Sequence, residues 1–369
     1  MGFEQVLQKT WRENILFSVL VELTYRCNLD CFFCYNDLAL RGEPLRTEQY
    51  LDFFAELRDL QVLHLTLSGG EPLAHPDFLV LGARARELGF VVRVKSNGHA
   101  LRGEMARRIR DEVDPYLVEV SLHGAHAATH DRQTRVPGSF DRLLTNLREA
   151  LDLGLRIKVN STMTAWNEDE IEGMLALTDA LGVPLQFDPE VTLRDDGDRE
   201  PLSISPSRAG VARLFAVQAD RARAAGVTGA PFAIGKGGDD GTMPAPATKH
   251  CGAGSAGVAV DPYGNVYPCV QWRRPVGNLH RQSIREIWTT SGALREIRDL
   301  TVQAKGVVSA YGPAGALMSF CPGSAAAHGG GDPLRVYPEA LRRMELLGEV
   351  FAGEEERNAK RRAILPVVS

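Results

Sequence analysis

Three cysteines crowded into one short loop constrain the chain most: Cys27, Cys31 and Cys34 have the spacing CxxxCxxC. The loop directly follows a mostly apolar run, 15–23, which is typical of a buried strand. Thiolates this close together can bind one metal centre, but three are one ligand short of a structural zinc site or a cubane iron–sulfur cluster. A [4Fe–4S] cluster on three cysteines keeps one iron open, and a small molecule can chelate that iron.

A second strand-like run, 62–67, ends in Ser68-Gly69-Gly70-Glu71-Pro72. Glycines let a backbone approach a ligand closely because no Cβ intrudes. Together with the cysteine loop, this motif resembles the pattern of the radical S-adenosylmethionine (SAM) superfamily. The resemblance implies a [4Fe–4S] cluster on the three cysteines, with SAM on its open iron and Gly69, Gly70 and Glu71 holding the SAM amino group. The alternative is a structural zinc loop followed by an unrelated Gly-Gly turn.

The same resemblance implies further SAM contacts at the ends of later strands. Phe33, just before the last cysteine of the loop, is expected near the adenine. Ser96 and Asn97, in Lys-Ser-Asn-Gly, are expected at the SAM pocket. Ser121 is expected at the SAM carboxylate and Asn160 at the ribose.

Two positions depart from the family pattern. His123 stands where the family has an aspartate, and Thr134 stands where it has an arginine that pairs with the SAM carboxylate. Arg132 or Arg135 can take over that role, since a guanidinium suits bidentate carboxylate binding. Either arginine is equally compatible with a solvated surface position.

Strand and helix patterns alternate from residue 15 to about 188. Strands are predicted at 16–24, 62–68, 90–96, 116–122, 156–162 and 184–188, and helices at 47–60, 77–88, 101–113, 138–153, 167–182 and 206–224. Such alternation predicts an α/β fold with a parallel sheet, and the family resemblance implies a (β/α)6 partial TIM barrel. In such barrels chemistry takes place at the carboxyl ends of the strands, where both motifs fall.

Three further cysteines, Cys251, Cys269 and Cys321, lie in the last third of the chain. The first two flank a predicted hairpin around Pro262-Tyr-Gly-Asn. The run Val276-Gly-Asn-Leu and the following Ile-Arg-Glu-Ile-Trp288 resemble the SPASM/twitch extension of radical SAM enzymes. This resemblance implies a smaller C-terminal SPASM/twitch-like domain that binds one auxiliary iron–sulfur cluster through the three cysteines.

A full SPASM domain supplies more cysteines than this chain does, so the sequence does not identify the fourth ligand of that auxiliary cluster. His250, Ser324, His328 or an atom of the substrate can complete the set. The alternative is that the three cysteines are small hydrophobic residues buried for packing alone.

The 369 residues are enough for one large and one smaller domain. The predicted segments are an N-terminal helix or extension at 1–15, the radical SAM barrel at 16–225, a linker or loop at 226–249, the SPASM/twitch-like domain at 250–335, and a C-terminal helix and tail at 336–369. A net charge of −5 argues against a general nucleic-acid binder. The absence of a long apolar run argues against a membrane span. Clustered cysteines without a signal peptide indicate a reducing cytoplasm.

The implied function is reductive cleavage of SAM to a 5′-deoxyadenosyl radical that abstracts a substrate hydrogen. Relatives with this extension usually act on ribosomally made peptides, so a peptide maturase is expected. One alternative is an enzyme that acts on a small molecule, such as a tetrapyrrole, sugar or antibiotic precursor. The other is a non-catalytic zinc-binding protein. Expected partners are an electron donor, such as flavodoxin or ferredoxin, and a separate leader-peptide-binding protein, because Cys27 comes too early to leave room for a leader-binding domain.

Overall fold

Six parallel strands in chain order make up most of the sheet. The structure is a computed structural model, and it describes residues 3–37, 39–226 and 249–364. The strands are β1 (Ser18–Glu22), β2 (His64–Ser68), β3 (Val91–Ser96), β4 (Leu117–Ser121), β5 (Ile157–Thr162) and β6 (Leu185–Asp188). Each pairs in parallel with the next. The predicted α/β partial barrel is therefore confirmed.

Helices connect and follow these strands. They are α1 (Phe3–Glu13), α2 (Thr47–Asp59), α3 (Phe78–Glu87), α4 (Gly103–Arg108), α5 (Ala127–Thr134), α6 (Ser139–Asp152), α7 (Ile171–Ala180) and α8 (Arg208–Ala224). The helix predicted at 101–113 is α4 continued by a π-helical turn, Ile109–Val113. Helix α5 was not predicted, because its sequence, AATHDRQT, has no apolar stripe. Within the described ranges, no helix is both long enough and apolar enough to cross a membrane.

The sheet has one mostly apolar face and one mixed face that carries its charged residues, because successive side chains of a strand point to opposite sides. Buried residues of the apolar face pack with the helices into one core; they include Val19, Val21, Leu65, Leu67, Val92, Val94, Val118, Val120, Ile157 and Val159. We call the opposite side of β1–β6 the inner face. It carries Glu22, Ser68, Arg93, Lys95, Glu119, Ser121, Lys158, Asn160, Gln186 and Asp188.

The C-terminal part extends this sheet at its β1 edge. It contains β7 (Gly257–Val260), β8 (Asn265–Tyr267), β9 (Gly277–Asn278), α9 (Ile284–Thr290), α10 (Gly292–Ser309), α11 (Pro322–His328) and α12 (Pro338–Ile364). Strand β7 runs parallel to β1, with Val19 opposite Val258 and Val21 opposite Val260. The predicted hairpin is present as β7 and β8, and Gly264 turns it with a φ of 77°.

The sheet therefore passes from the barrel into the C-terminal hairpin without a break, in the order β6-β5-β4-β3-β2-β1-β7-β8-β9. The sequence does not predict this pairing, since residues 250–335 are expected to form a separate domain. The domain boundaries remain predictions. The predicted linker, 226–249, lies outside the described residues except for its first and last positions.

A buried ion pair fixes the C-terminal part to the barrel. Arg273 binds both carboxylate oxygens of Glu22, at 2.7 and 2.9 Å, and Glu22 is fully buried at the end of β1. The Arg273 Nε lies 2.9 Å from Asp195 Oδ2, and the guanidinium stands over the ring of Tyr267, 5.2 Å from its centroid. Tyr25 donates a third hydrogen bond to Glu22. The carboxylate is thus compensated only when residues from both parts meet.

Replacing Arg273 with methionine is expected to lower the free energy of unfolding by about 3–5 kcal/mol, because the buried Glu22 charge loses its partner. Arg274→Met is the matched control: Arg274 pairs with Glu296 at the surface, where such pairs contribute about 0–1 kcal/mol. Urea denaturation, followed by circular dichroism, measures the free energy of unfolding of both variants. Equal stabilities of the two variants would contradict the interpretation.

Candidate active site

Backbone hydrogen bonds join the cysteine loop to the Gly-Gly-Glu turn at the carboxyl edge of the sheet. Gly70 N donates to Thr24 O at 2.7 Å, and Glu71 N donates to Arg26 O at 2.9 Å. The side chain of Asn36 donates to Gly69 O from the other end of the loop, at 3.1 Å. The two sequence motifs therefore form one continuous backbone surface.

The two glycines are required by this contact between chain segments. A Cβ on Gly69 would lie 2.3 Å from Thr24 O, and a Cβ on Gly70 would lie 2.6 Å from Arg26 O. Gly69 also has a φ of 139°, which other residues rarely adopt. The glycines predict close approach by a ligand, whereas the structure shows that the approaching group is the backbone that leads into the cysteine loop.

The Glu71 carboxylate connects this turn to the end of β3. Its two oxygens accept hydrogen bonds from Ser96 Oγ at 2.8 Å, Asn97 N at 2.7 Å and Leu73 N at 3.1 Å. The side chain is 2% exposed, and burial raises the pKa of Glu71 while the three donors oppose the rise. Ionised carboxylates have about four acceptor positions, so one position remains for a further donor.

Asn97 connects the end of β3 to the cysteine loop. Its side-chain amide donates to Asn28 Oδ1 at 2.8 Å and lies 3.7 Å from the sulfur of Cys27. The backbone N–H of Leu29 also approaches this sulfur, at 3.4 Å. Donors on a cysteine sulfur stabilise its thiolate form and are one means by which proteins adjust an iron–sulfur cluster.

The three thiols of the loop lie close enough to influence one another. Burial raises the pKa of each of them, that of Cys34 to about 11, and the charges of its neighbours raise the pKa of Cys31 further. Arg194 opposes the rise at Cys34. A crowded, half-buried set of thiols ionises when a metal centre supplies positive charge.

This arrangement fits a cluster. Three half-buried thiols lie in one loop, and a cubane binds each thiolate at a different iron. A second feature fits SAM: Asn36 Oδ1, beside Gly69 O, is buried without a hydrogen-bond partner among the described residues, and an ammonium group can donate to it.

Helix α5 contacts the cysteine loop through its C-terminal end. Its last carbonyls accept hydrogen bonds from the loop: Gln133 O from Phe32 N at 3.0 Å, and Thr134 O from Asp30 N at 3.1 Å. The ring of Phe33 packs edge-on against His123, with centroids 4.5 Å apart. Burial lowers the pKa of His123 to about 3, so this ring is neutral at physiological pH. His123 therefore contacts the loop by ring packing instead of by charge.

Both arginines near Thr134 stack on aromatic rings. Arg132 lies over Trp166, 4.0 Å from the ring centroid, and Arg135 lies over Phe32 at 4.6 Å. Arg135 also faces Asp30, with an N–O distance of 3.4 Å. The side chain of Thr134 is buried against Ser139. Thr134, which stands where the family has an arginine, is thus a buried packing residue at the end of α5, the helix that contacts the cysteine loop.

Ser121 and Asn160 lie opposite each other on β4 and β5, on the inner face. The Asn160 amide donates to Glu119 Oε2 at 2.7 Å. Ser161, the next residue, points to the apolar face, where its hydroxyl contacts Met174 Sδ at 3.8 Å. The structure therefore brings Ser121 and Asn160 together with Ser96 and Asn97 at one edge of the sheet.

Sequence reasoning did not identify Asn36, Arg194 and Asp195 as parts of this site. Asp195 N donates to Tyr35 O at 2.8 Å, directly after the third cysteine of the loop. Burial raises the pKa of Asp195 to about 7, although the charge of Arg273 opposes the rise. The loop after β6 has no motif in the sequence, and only the tertiary structure shows that it borders the cysteines.

The segments that carry the C-terminal cysteines meet in one region. His250 Nε2 lies 2.7 Å from Phe320 O, so the residues preceding Cys251 and Cys321 are in contact. A Cβ on Gly323 would lie 2.5 Å from Gln271 O, two residues after Cys269. All six cysteines of the chain are thiols instead of disulfide partners.

Among the candidate fourth ligands, His250 is hydrogen-bonded to Phe320 O, Ser324 is buried, and the ring of His328 stacks on Tyr337 at 5.4 Å. These contacts do not single out one of the three side chains as the fourth ligand of the auxiliary cluster.

Comparison with known proteins agrees with this geometry. The family model of the radical SAM superfamily matches residues 21–178, and the model of an iron–sulfur cluster-binding domain, SPASM, matches residues 251–310. The first contains the three loop cysteines and the Gly-Gly-Glu turn. The second contains Cys251 and Cys269 and ends before Cys321.

Two relatives and one solved structure illustrate the similarity. The PqqA peptide cyclase of Streptomyces rochei is 32% identical over 76% of this chain and 78% of its own length. The AdoMet-dependent heme synthase of Methanosarcina barkeri is 26% identical over 75% of this chain and 83% of its own. The crystal structure of Streptococcus suis SuiB has the same fold, with a TM-score of 0.61 and 16% identity over 80% of this chain and 72% of SuiB.

These matches span both parts of the continuous sheet, and they set aside the alternative of an unrelated zinc loop. The cofactors of the family are a [4Fe–4S] cluster and SAM, and the SPASM segment implies an auxiliary iron–sulfur site. The chain belongs to the radical SAM superfamily of enzymes, with a C-terminal SPASM domain.

Proposed function

We propose that the chain modifies a ribosomally synthesised peptide by abstracting a hydrogen atom from it, as a peptide maturase. The observation that carries the proposal is the junction of the cysteine loop, the Gly-Gly-Glu turn and the Ser96–Asn97 turn at the carboxyl edge of the sheet. In a barrel of this kind, the carboxyl edge is where substrates react. The inner face borders that edge and is open enough to leave Lys95 half exposed.

When bound, the cluster and SAM supply the reductive cleavage that yields a 5′-deoxyadenosyl radical. We assign the cluster to Cys27, Cys31 and Cys34. We assign SAM to the residues around it, Phe33, Gly69, Gly70, Glu71, Ser96, Asn97, Ser121 and Asn160. These residues hold SAM in one orientation and exclude water from the reacting atoms.

A peptide substrate is supported by the PqqA peptide cyclase, whose identity to this chain is the higher of the two relatives described. The second candidate is a tetrapyrrole or another small molecule, which the heme synthase favours through its long alignment. An electron donor such as flavodoxin or ferredoxin, and a separate leader-binding protein for a peptide, complete the proposal.

Cys31→Ala is expected to abolish 5′-deoxyadenosine formation, because the cluster loses one of its three thiolates. The assay uses anaerobically reconstituted protein with dithionite and SAM, and iron content is measured on the same samples. Cys321→Ala is the control, since it leaves the loop cysteines intact. Wild-type SAM cleavage by Cys31→Ala would end this assignment.

Glu71→Ala is expected to weaken SAM binding about tenfold, because it removes a charge-assisted partner of the ammonium and releases the Ser96–Asn97 turn. Equilibrium dialysis with labelled SAM measures the affinity, and the iron content should stay near that of the wild type. Glu87→Ala, on the exposed surface of α3, is the control. An unchanged SAM affinity would show that the Gly-Gly-Glu turn does not form the SAM site.

Changing Cys251, Cys269 and Cys321 together to alanine is expected to lower the iron content from about eight to about four atoms per chain, on cubane stoichiometry. Mössbauer spectroscopy of the triple variant, prepared with the Mössbauer-active isotope of iron, checks that the remaining iron forms one cluster. If the triple variant keeps all its iron, the C-terminal part binds no cluster.

A further inference from the structure

A buried ammonium group lies at the turn that begins with the first C-terminal cysteine. We call this turn, residues 251–255, the auxiliary turn. Lys249 is 8% exposed, and its Nζ donates to Asn14 Oδ1 at 2.5 Å and to Ser255 Oγ at 2.9 Å. Ser255 N donates back to Gly252 O at 2.9 Å, which makes the turn compact. Because Lys249 binds the last residue of the auxiliary turn, its charge lies against that turn.

A second cation reaches the same turn from helix α10. Arg298 Nε donates to Gly254 O at 2.7 Å, and its Nη2 donates to Trp288 O at 3.1 Å. The guanidinium also stands over the ring of Trp288, 4.6 Å from the ring centroid. Two positive charges, those of Lys249 and Arg298, therefore approach one short turn.

The hydrogen bonds of both cations go to neutral oxygens, although a buried charge is costly unless an opposite charge compensates it. Burial and the charge of Arg298 lower the pKa of Lys249, whereas the charges of Asp299 and an ionised Cys251 raise it. Asp299 is exposed to water, and Cys251 is half-buried. An anion held by Cys251 thus lies where these cations stabilise it.

Helix α1 covers the auxiliary turn. A Cβ on Gly252 would lie 2.7 Å from Trp11 Nε1, so the Trp11 ring lies directly against the turn. Trp288 Nε1 donates to Asn14 O at 2.9 Å, which fixes the residue after α1 to the C-terminal part. Charges act on one another more strongly where side chains replace water, so this cover increases the effect of Lys249 on the turn.

We propose that Lys249 is a positioning residue whose charge raises the reduction potential of an auxiliary iron–sulfur cluster bound at Cys251. The inference rests on the proposed assignment of that cluster to Cys251, Cys269 and Cys321. Reduction adds one electron to a cluster, and a nearby cation stabilises the more negative, reduced form. Lys249 would therefore favour the uptake of an electron at this site.

The test is a redox titration of the anaerobically reconstituted, full-length protein with dithionite, followed by electron paramagnetic resonance. The auxiliary signal is the one that disappears when Cys251, Cys269 and Cys321 are all changed to alanine. In Lys249→Met, the ratio of reduced to oxidised auxiliary cluster at a given potential should fall about tenfold. For one electron, this is a downward shift of about 59 mV. The signal that the triple variant retains should keep its potential.

Four further variants separate charge from packing. Lys249→Gln should shift the potential as Lys249→Met does, and it decides the question if the methionine variant does not retain its iron. Lys249→Arg keeps the charge and should keep the potential. Asn14→Gly removes an acceptor of Lys249 without removing the charge, and glycine suits the φ of 53° at this position. Arg295→Met removes an exposed charge from α10, where water screens it, and should leave the potential near that of the wild type.

An auxiliary potential that is unchanged in Lys249→Met and Lys249→Gln would overturn the proposal. Equal shifts in Lys249→Arg and Asn14→Gly would also overturn it, because they would assign the effect to packing. If no signal disappears in the triple cysteine variant, Cys251 binds no cluster and the proposal is wrong. Formation of 5′-deoxyadenosine by the wild type tests the proposed function separately, because that reaction needs only the cluster of the cysteine loop.

Discussion

The buried ion pair of Glu22 and Arg273 is the contact on which the carboxyl edge of the sheet depends. A carboxylate with no exposed surface is tolerated only when it is paired and hydrogen-bonded. Glu22 ends β1, and two residues later Thr24 accepts the hydrogen bond that positions Gly70. The end of β1, from which the cysteine loop departs, is therefore stabilised by a guanidinium of the C-terminal part. The pairing of β7 with β1 provides the route by which Arg273 reaches this point.

From this contact outward, the site is built by polar groups that satisfy one another. Asn36 holds Gly69, Glu71 holds Ser96 and the backbone of Asn97, and Asn97 reaches back to Asn28 in the loop. These hydrogen bonds join the cysteine loop, the Gly-Gly-Glu turn and the turn after β3. Side chains held by several neighbours in this way keep a defined orientation toward a bound ligand.

The sequence was sufficient for the local parts of this arrangement. The strands of the barrel, the hairpin and the two motifs at strand ends follow from periodicity and from the family resemblance. Nonlocal contacts were not predictable in this way. Arg273 and Arg274 are adjacent and identical in type, yet one pairs with the buried Glu22 and the other is a surface residue. Likewise, nothing in the short run 257–260 indicates that it pairs with β1. Helix α5 is weakly patterned in sequence, and its contact with the cysteine loop through its last carbonyls is seen only in the tertiary structure.

The residues at the strand ends and the side chains of the inner face are constrained in different ways. Most of the groups assigned to the cluster and SAM lie on the cysteine loop and on turns after β2 and β3, where backbone contacts restrict which residues are allowed. The inner face is instead lined by side chains of the strands themselves, and Lys95, Glu119 and Lys158 lie opposite one another there. A side chain on a strand can change without moving the turns that carry the cysteine loop and the Gly-Gly-Glu motif. A single barrel can therefore keep one radical-generating edge while its relatives, from a peptide cyclase to a heme synthase, act on different molecules.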